Sequence, residues 1–156
     1  MKSKLLLAVI LLASLGCHGF TPGASSREQA DRLARDGKYD EAIDLYRKHL
    51  ETRLAAPNRP DWDNPYIYLL DIGDMHLKKG EPENAIKYYE LAEQHKVEAE
   101  YVTDHLRGVA LWYEERGLRL EALQYLKKYR RRDPLMFDLM LDRIAHDIVA
   151  AEENEK

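Results

Sequence analysis

A chain of 156 residues sets the scale of a single domain. Hydrophobic residues make up 45% and charged residues 33%, with eight Gly and six Pro, which excludes a linker-dominated or disordered chain and suits a folded helical one. The net charge is −4, or −6 once the leading Lys2 and Lys4 are set aside; that excludes generic phosphate-neutralising nucleic-acid binding, and the single cysteine, Cys17, excludes an intramolecular disulfide.

Residues 1–16 read as a secretory signal peptide. Lys2 and Lys4 form a basic start, and Leu5 to Leu15 is apolar apart from Ser14. Eleven such residues in a helix span roughly 16 Å, far short of a ~30 Å hydrocarbon core, so no transmembrane helix is expected here. The end of the run, Ser14-Leu15-Gly16-Cys17, resembles the lipobox of bacterial lipoproteins, whose cysteine becomes the lipid-bearing first residue of the mature protein. Gly16 and Cys17 match that pattern, while Ser14 and Leu15 depart from its usual leucine and small residue. The resemblance implies lipid attachment at Cys17; the alternative is an ordinary cleavage site with Cys17 incidental. Residues 17–26, rich in Gly, Pro, Ser and Thr, read as a flexible tether. Multiple acyl chains would anchor it stably. His18 stands where an Asp would mark retention in an inner membrane. The implied location is therefore the cell envelope, lipid-anchored in the outer membrane and facing the periplasm.

Between residues 27 and 134 three segments align on a glycine. They are Ala30 to Tyr46 around Gly37, Gly73 to Tyr89 around Gly80, and Ala110 to Leu126 around Gly117. Each has a small residue, a glycine seven on, an alanine five later (Ala42, Ala85, Ala122), then an aliphatic, then a large apolar residue. This pattern resembles the tetratricopeptide repeat, a helix-turn-helix unit. The resemblance implies an all-α stack of about three helical hairpins. Each glycine would end a first helix in the left-handed region, and each alanine would sit where two helices cross. The glycines are 43 and 37 residues apart. The longer gap holds Ala55 to Pro65, which reads as an extended loop. Pro82 replaces a usual aromatic and is expected to shorten or shift its helix. His49 stands where a small residue is usual.

Asp133-Pro134 reads as a cap and first-turn proline opening a last helix over residues 135–151, with a polar tail at 152–156. Met136, Met140, Ile144 and Ile148, broadened by Phe137, Leu139 and Leu141, form its apolar stripe. Such a helix would cap the open end of the stack.

No motif for catalysis, phosphate binding or a cofactor is present, and His49, His76, His95, His105 and His146 have no ligand spacing, so neither metal, cofactor nor small-molecule substrate is expected. His76 reads as a core or half-buried histidine. Asp71 and Asp74 read as a solvated face. The basic run Lys127 to Arg132 suits either anionic lipid head groups or a helix C-terminus. Trp62 reads either as an exposed partner anchor or as part of a packed loop.

In the tetratricopeptide family the first helices line a concave groove that binds partner polypeptides. Carried over from the glycines, the groove positions are Arg27, Asp31 and Arg35, then Leu70, Asp74 and Lys78, then Arg107, Leu111 and Glu115, with Ile67 and Leu77 flanking the middle set. Leu70 and Leu77 would form an exposed apolar centre within a charged rim. The spacing of four also lets Arg27, Asp31 and Arg35 neutralise one another, as it does Asp74 and Lys78. The expected function is a membrane-tethered, non-enzymatic adaptor that binds another envelope protein or peptide and no nucleic acid. The alternatives are an oligomerising subunit or a regulatory subunit of an envelope enzyme.

Overall fold

The computed structural model describes residues 25–154 and, among them, seven α-helices and no strand. The helices are α1 (Ser26–Arg35), α2 (Tyr39–Leu54), α3 (Tyr68–Lys78), α4 (Pro82–Gln94), α5 (Ala99–Glu115), α6 (Arg119–Tyr129) and α7 (Pro134–Asn154). Signal peptide, Cys17 and most of the tether lie outside the described residues. Helix α1 starts at Ser26, the last residue assigned to the tether, because Ser25 and Glu28 form a reciprocal capping box.

Three hairpins, α1–α2, α3–α4 and α5–α6, stack in order, and α7 packs on α6. This is an all-α, tetratricopeptide-like helical stack. The turns inside the hairpins share one geometry. Gly37, Gly80 and Gly117 have φ of +75°, +86° and +73°. The next residue's N–H bonds back to a carbonyl five residues earlier, as Lys38 does to Leu33, Glu81 to His76 and Leu118 to Tyr113, each at 2.9 Å. These are Schellman closures, which satisfy carbonyls that a helix end leaves free.

The small residues sit at the crossings. Ala30, Ala110, Ala42, Ala85 and Ala122 are fully buried, and Tyr46, Tyr89 and Leu126 are buried between successive helices. Gly73 takes the place of Ala30 and Ala110 for a stricter reason. A Cβ there would lie 2.3 Å from the Tyr89 ring and 3.1 Å from the Ala85 carbonyl oxygen. Pro82 neither delays nor shifts α4, contrary to expectation. It stands at the first helical position, two residues after Gly80, where its missing N–H costs nothing, and α2 and α6 also start two residues after their glycines.

The junctions between hairpins differ. Residues 55–67 are pinned at several points and end in a 3₁₀ turn, Pro65–Ile67. Arg53 and Asp63 pair at 2.5 Å, and Asn64 donates to the His95 carbonyl oxygen at 3.0 Å, tying the insertion to the far end of α4. Beside it His49 fills the space between α2 and α3, edge-on to Tyr68 at 4.5 Å and 3.1 Å from the Ser26 hydroxyl. The α4–α5 junction is short. It closes with the same hydrogen bonds as the hairpin turns, but Lys96 takes the left-handed place at φ +63°.

Helix α7 opens on Asp133, whose side chain accepts from the Met136 N–H at 3.1 Å. It continues to Asn154, past the expected start of the polar tail. Phe137, Met140 and Ile144 are buried and Leu141 and Ile148 pack half-buried, whereas Met136 and Leu139 point to solvent. The buried stripe is therefore turned slightly from the expected one. The basic run is mostly engaged within the fold. Arg132 makes a two-pronged contact with Glu93 at 2.8 and 2.6 Å, and Arg130 contacts Asp138 at 2.7 Å. His76 is half-buried as expected, 2.7 Å from Glu81 and stacked on Tyr88.

Candidate partner-binding groove

The first helix of each hairpin turns its small-residue face inward and leaves the opposite face free. In α1 that free face carries Arg27, Asp31 and Arg35, as expected, with both arginines exposed. They do not neutralise one another. Asp31 accepts instead from the Tyr46 hydroxyl of α2 at 2.6 Å, and Arg27 lies over the Tyr68 ring at 5.6 Å. Burial, and then this bond, raise the Tyr46 pKa.

In α3 the apolar centre differs from expectation. Leu70, expected as the exposed apolar centre, is buried, 3% exposed. Leu77 is half-buried against the core. The free face carries the expected Ile67, Asp74 and Lys78, with Asp71 in place of Leu70, a line with helical spacing of three and four. Ile67 is 41% exposed and Lys78 is exposed with no ion pair among the described residues. Asp74 does not pair with Lys78; it accepts from the Tyr89 hydroxyl at 2.8 Å and lies 3.6 Å from His105 Nε2. Asp71 is half-buried, and burial followed by the charge of Asp74 pushes its pKa up to about 6, against the opposing pull of Arg27. The reading of Asp71 and Asp74 as a solvated face therefore needs correction. Both carboxylates border the groove, partly withdrawn from water.

In α5, Leu111 is 43% exposed and Glu115 is exposed on the free face, as expected. Arg107 is not free. It pairs with Asp104 and, at 3.1 Å, with Asp133 at the start of α7. The capping helix thus claims the side of α5 that carries Arg107. The free face begins further round, with Tyr101, 47% exposed, and Asp104.

All three helices contribute to a recess of about 240 Å³, lined by Arg27, Ile67, Tyr68, Leu70, Asp71, Tyr101 and His105. Its wall is aromatic and aliphatic, and its ionisable groups are two carboxylates' worth of acid from Asp71 and nearby Asp74 against Arg27 and His105. Tyr101, His105 and Asp71 belong to it although the family register points to their neighbours. The signal that could have found them is the burial of the small-residue face, which leaves positions 67, 71, 74 and 78 opposite Gly73 on a helical wheel. Among the described residues no group of three or more His, Cys, Asp or Glu side chains is placed to hold a metal ion. No described helix is long and apolar enough to cross a membrane.

The tetratricopeptide repeat family model matches residues 29–60, the stretch holding most of α1, all of α2 and the first half of the insertion. That stretch thus carries one tetratricopeptide repeat, a module that in general serves to bind proteins. No curated protein matches the chain.

Proposed function

We propose that this protein is an adaptor that binds a partner polypeptide along the free face of α1, α3 and α5. The observation that carries the reading is the exposure of Ile67 and Tyr101 at a recess that the partly desolvated Asp71 also lines, with Leu111 exposed further along α5. Exposed apolar side chains next to an under-compensated charge are the usual make-up of an interaction centre with a polar rim. A photo-crosslinking residue at Leu111 should capture a defined partner in vivo, whereas one at Lys48, exposed on the outer helix α2, should not. Equal capture from both positions would reject the groove.

The adaptor is, in this reading, exported and lipid-anchored through Cys17 in the bacterial envelope, facing the periplasm. Gly16-Cys17 closing an apolar run supports this. Metabolic labelling with a fatty acid should mark the wild type and miss Cys17→Ala; label on both, or on neither, rejects the anchor.

One observation favours a second reading. Leu135, Met136 and Leu139 are exposed on α7, which suits a subunit that oligomerises through that helix. Light scattering would then show a concentration-dependent mass that truncation after Arg132 abolishes.

A further inference from the structure

The inserted loop and the α4–α5 turn enclose a second cavity, of about 640 Å³. Trp62 stands on its wall and is 83% exposed. The Tyr66 and His95 rings are stacked in parallel beside it, 3.7 Å apart. The loop is pinned immediately after Trp62, where Asp63 accepts from Arg53 and Asn64 donates to the His95 carbonyl oxygen. A large indole held out in water on a pinned loop leaves unburied the side chain with the most to gain from burial.

Ile67 and Tyr101 border both this cavity and the recess beside Asp71. The two spaces share these residues and form one trough; its Trp62 end is aromatic but also carries Arg59 and Lys96 against Asp61, Asp63 and Glu98, and its other end is acidic. At the acidic end Asp31 and Asp74 add to the field at Asp71, with Arg27 and His105 opposing it.

We propose that the trough takes a segment of the partner in which a bulky apolar side chain packs on Trp62, Ile67 and Tyr101 and an adjacent lysine or arginine reaches Asp71. The inference rests on the groove reading and names the partner's chemistry. Charge complementarity selects this occupant. An acidic segment would add to three carboxylates, and a purely apolar one would withdraw Asp71 further from water without bringing a new cation to it. Anionic lipid head groups meet the same repulsion.

A random nonapeptide display library panned on the immobilised full chain tests this directly. Enriched peptides should carry an aromatic or large aliphatic residue next to Lys or Arg. By fluorescence anisotropy, Trp62→Ala and Asp71→Asn should each weaken the best peptide at least tenfold. Replacing the peptide's basic residue with norleucine should cancel the effect of Asp71→Asn, which a merely structural role for Asp71 would not do. Circular dichroism checks that each variant stays folded. Enrichment of acidic or uncharged motifs, indifference to Trp62→Ala, or no enrichment at all overturns the proposal. Binding that is lost in Leu111→Arg but kept in both trough variants would overturn it and leave the groove reading standing. Binding indifferent to all three substitutions would remove both. A sedimenting mass that rises with concentration in the wild type and not in Trp62→Ala would identify a second copy as the occupant, and also overturns it.

Discussion

The inside of each hairpin repeats, while the free face of each first helix is different. Ala30, Gly73 and Ala110 occupy equivalent crossings, as do Ala42, Ala85 and Ala122, and all are sealed from water. The outward lines differ: Arg27, Asp31 and Arg35, then Ile67, Asp71, Asp74 and Lys78, then Tyr101, Asp104 and Leu111; the first two share only an aspartate that accepts from the second-helix tyrosine, Asp31 from Tyr46 and Asp74 from Tyr89. Packing density explains the contrast. Two helices can approach only over small residues, so one geometry admits one solution at every crossing. A solvent-facing position has no such constraint, and its chemistry is free to match a partner.

The sharpest way to break this contrast is to substitute two glycines. Gly73→Ala should cost about 1–3 kcal/mol by forcing Tyr89 and the α4 backbone away. Gly108→Ala, on the free side of α5 with nothing within 4 Å of the new Cβ, should stabilise by about 0.5–1 kcal/mol. Urea unfolding compares them. Equal effects would mean that the crossings are not close-packed.

Asp71→Asn probes the free face and should have the opposite sign to Gly73→Ala. The Asp71 pKa is raised in the folded state, from 3.8 to about 6. The folded protein holds that proton more tightly, so this residue's contribution to stability is most favourable below pH 3.8 and declines as pH rises through about 6. Asp71→Asn should therefore stabilise by about 1–2 kcal/mol at pH 7.5, with the gain fading by pH 4. Melting curves of both proteins across that range check the sign. A gain that is the same at both pH values would point to packing instead of charge.

The turns offer a smaller test. Lys96 does what Gly37, Gly80 and Gly117 do, with a side chain that disfavours the left-handed region. Lys96→Gly should stabilise by about 0.5–1 kcal/mol, and Gly37→Lys should lose about as much. Loss of stability in Lys96→Gly would show that the lysine side chain supports the junction. The smallest effect belongs to Leu111→Arg, which should change stability by less than about 0.5 kcal/mol because the groove leaves that residue in water.

Much of the fold was legible because its signals are local. Three glycines with alanines five residues later, and a capped proline before α7, fix helix ends and crossings through backbone sterics and side-chain size alone. The exposure of Arg27, Arg35, Lys78, Leu111 and Glu115 followed from the same spacing. The fourth left-handed turn escaped notice because Lys96 carries no sign of it, although its closing bond, from the Val97 N–H to the Ala92 carbonyl oxygen, is as local as those at the glycines. Leu70 and Asp71 differ by one residue, or about 100° around the helix. Which of them faces the groove depends on how α3 rolls against α4, and the contact of Gly73 with Tyr89 sets that roll.

The sequence by itself determined the helical hairpins, their order and the residues at their crossings. Only the tertiary structure decided the groove. Arg107 became a tie to Asp133 when α7 took that side of α5, and Asp71 became a partly dehydrated acid when α1 and α5 closed around it. Local rules act on neighbours along the chain, whereas burial and charge at a concave face sum over helices that are remote in sequence and meet only on folding.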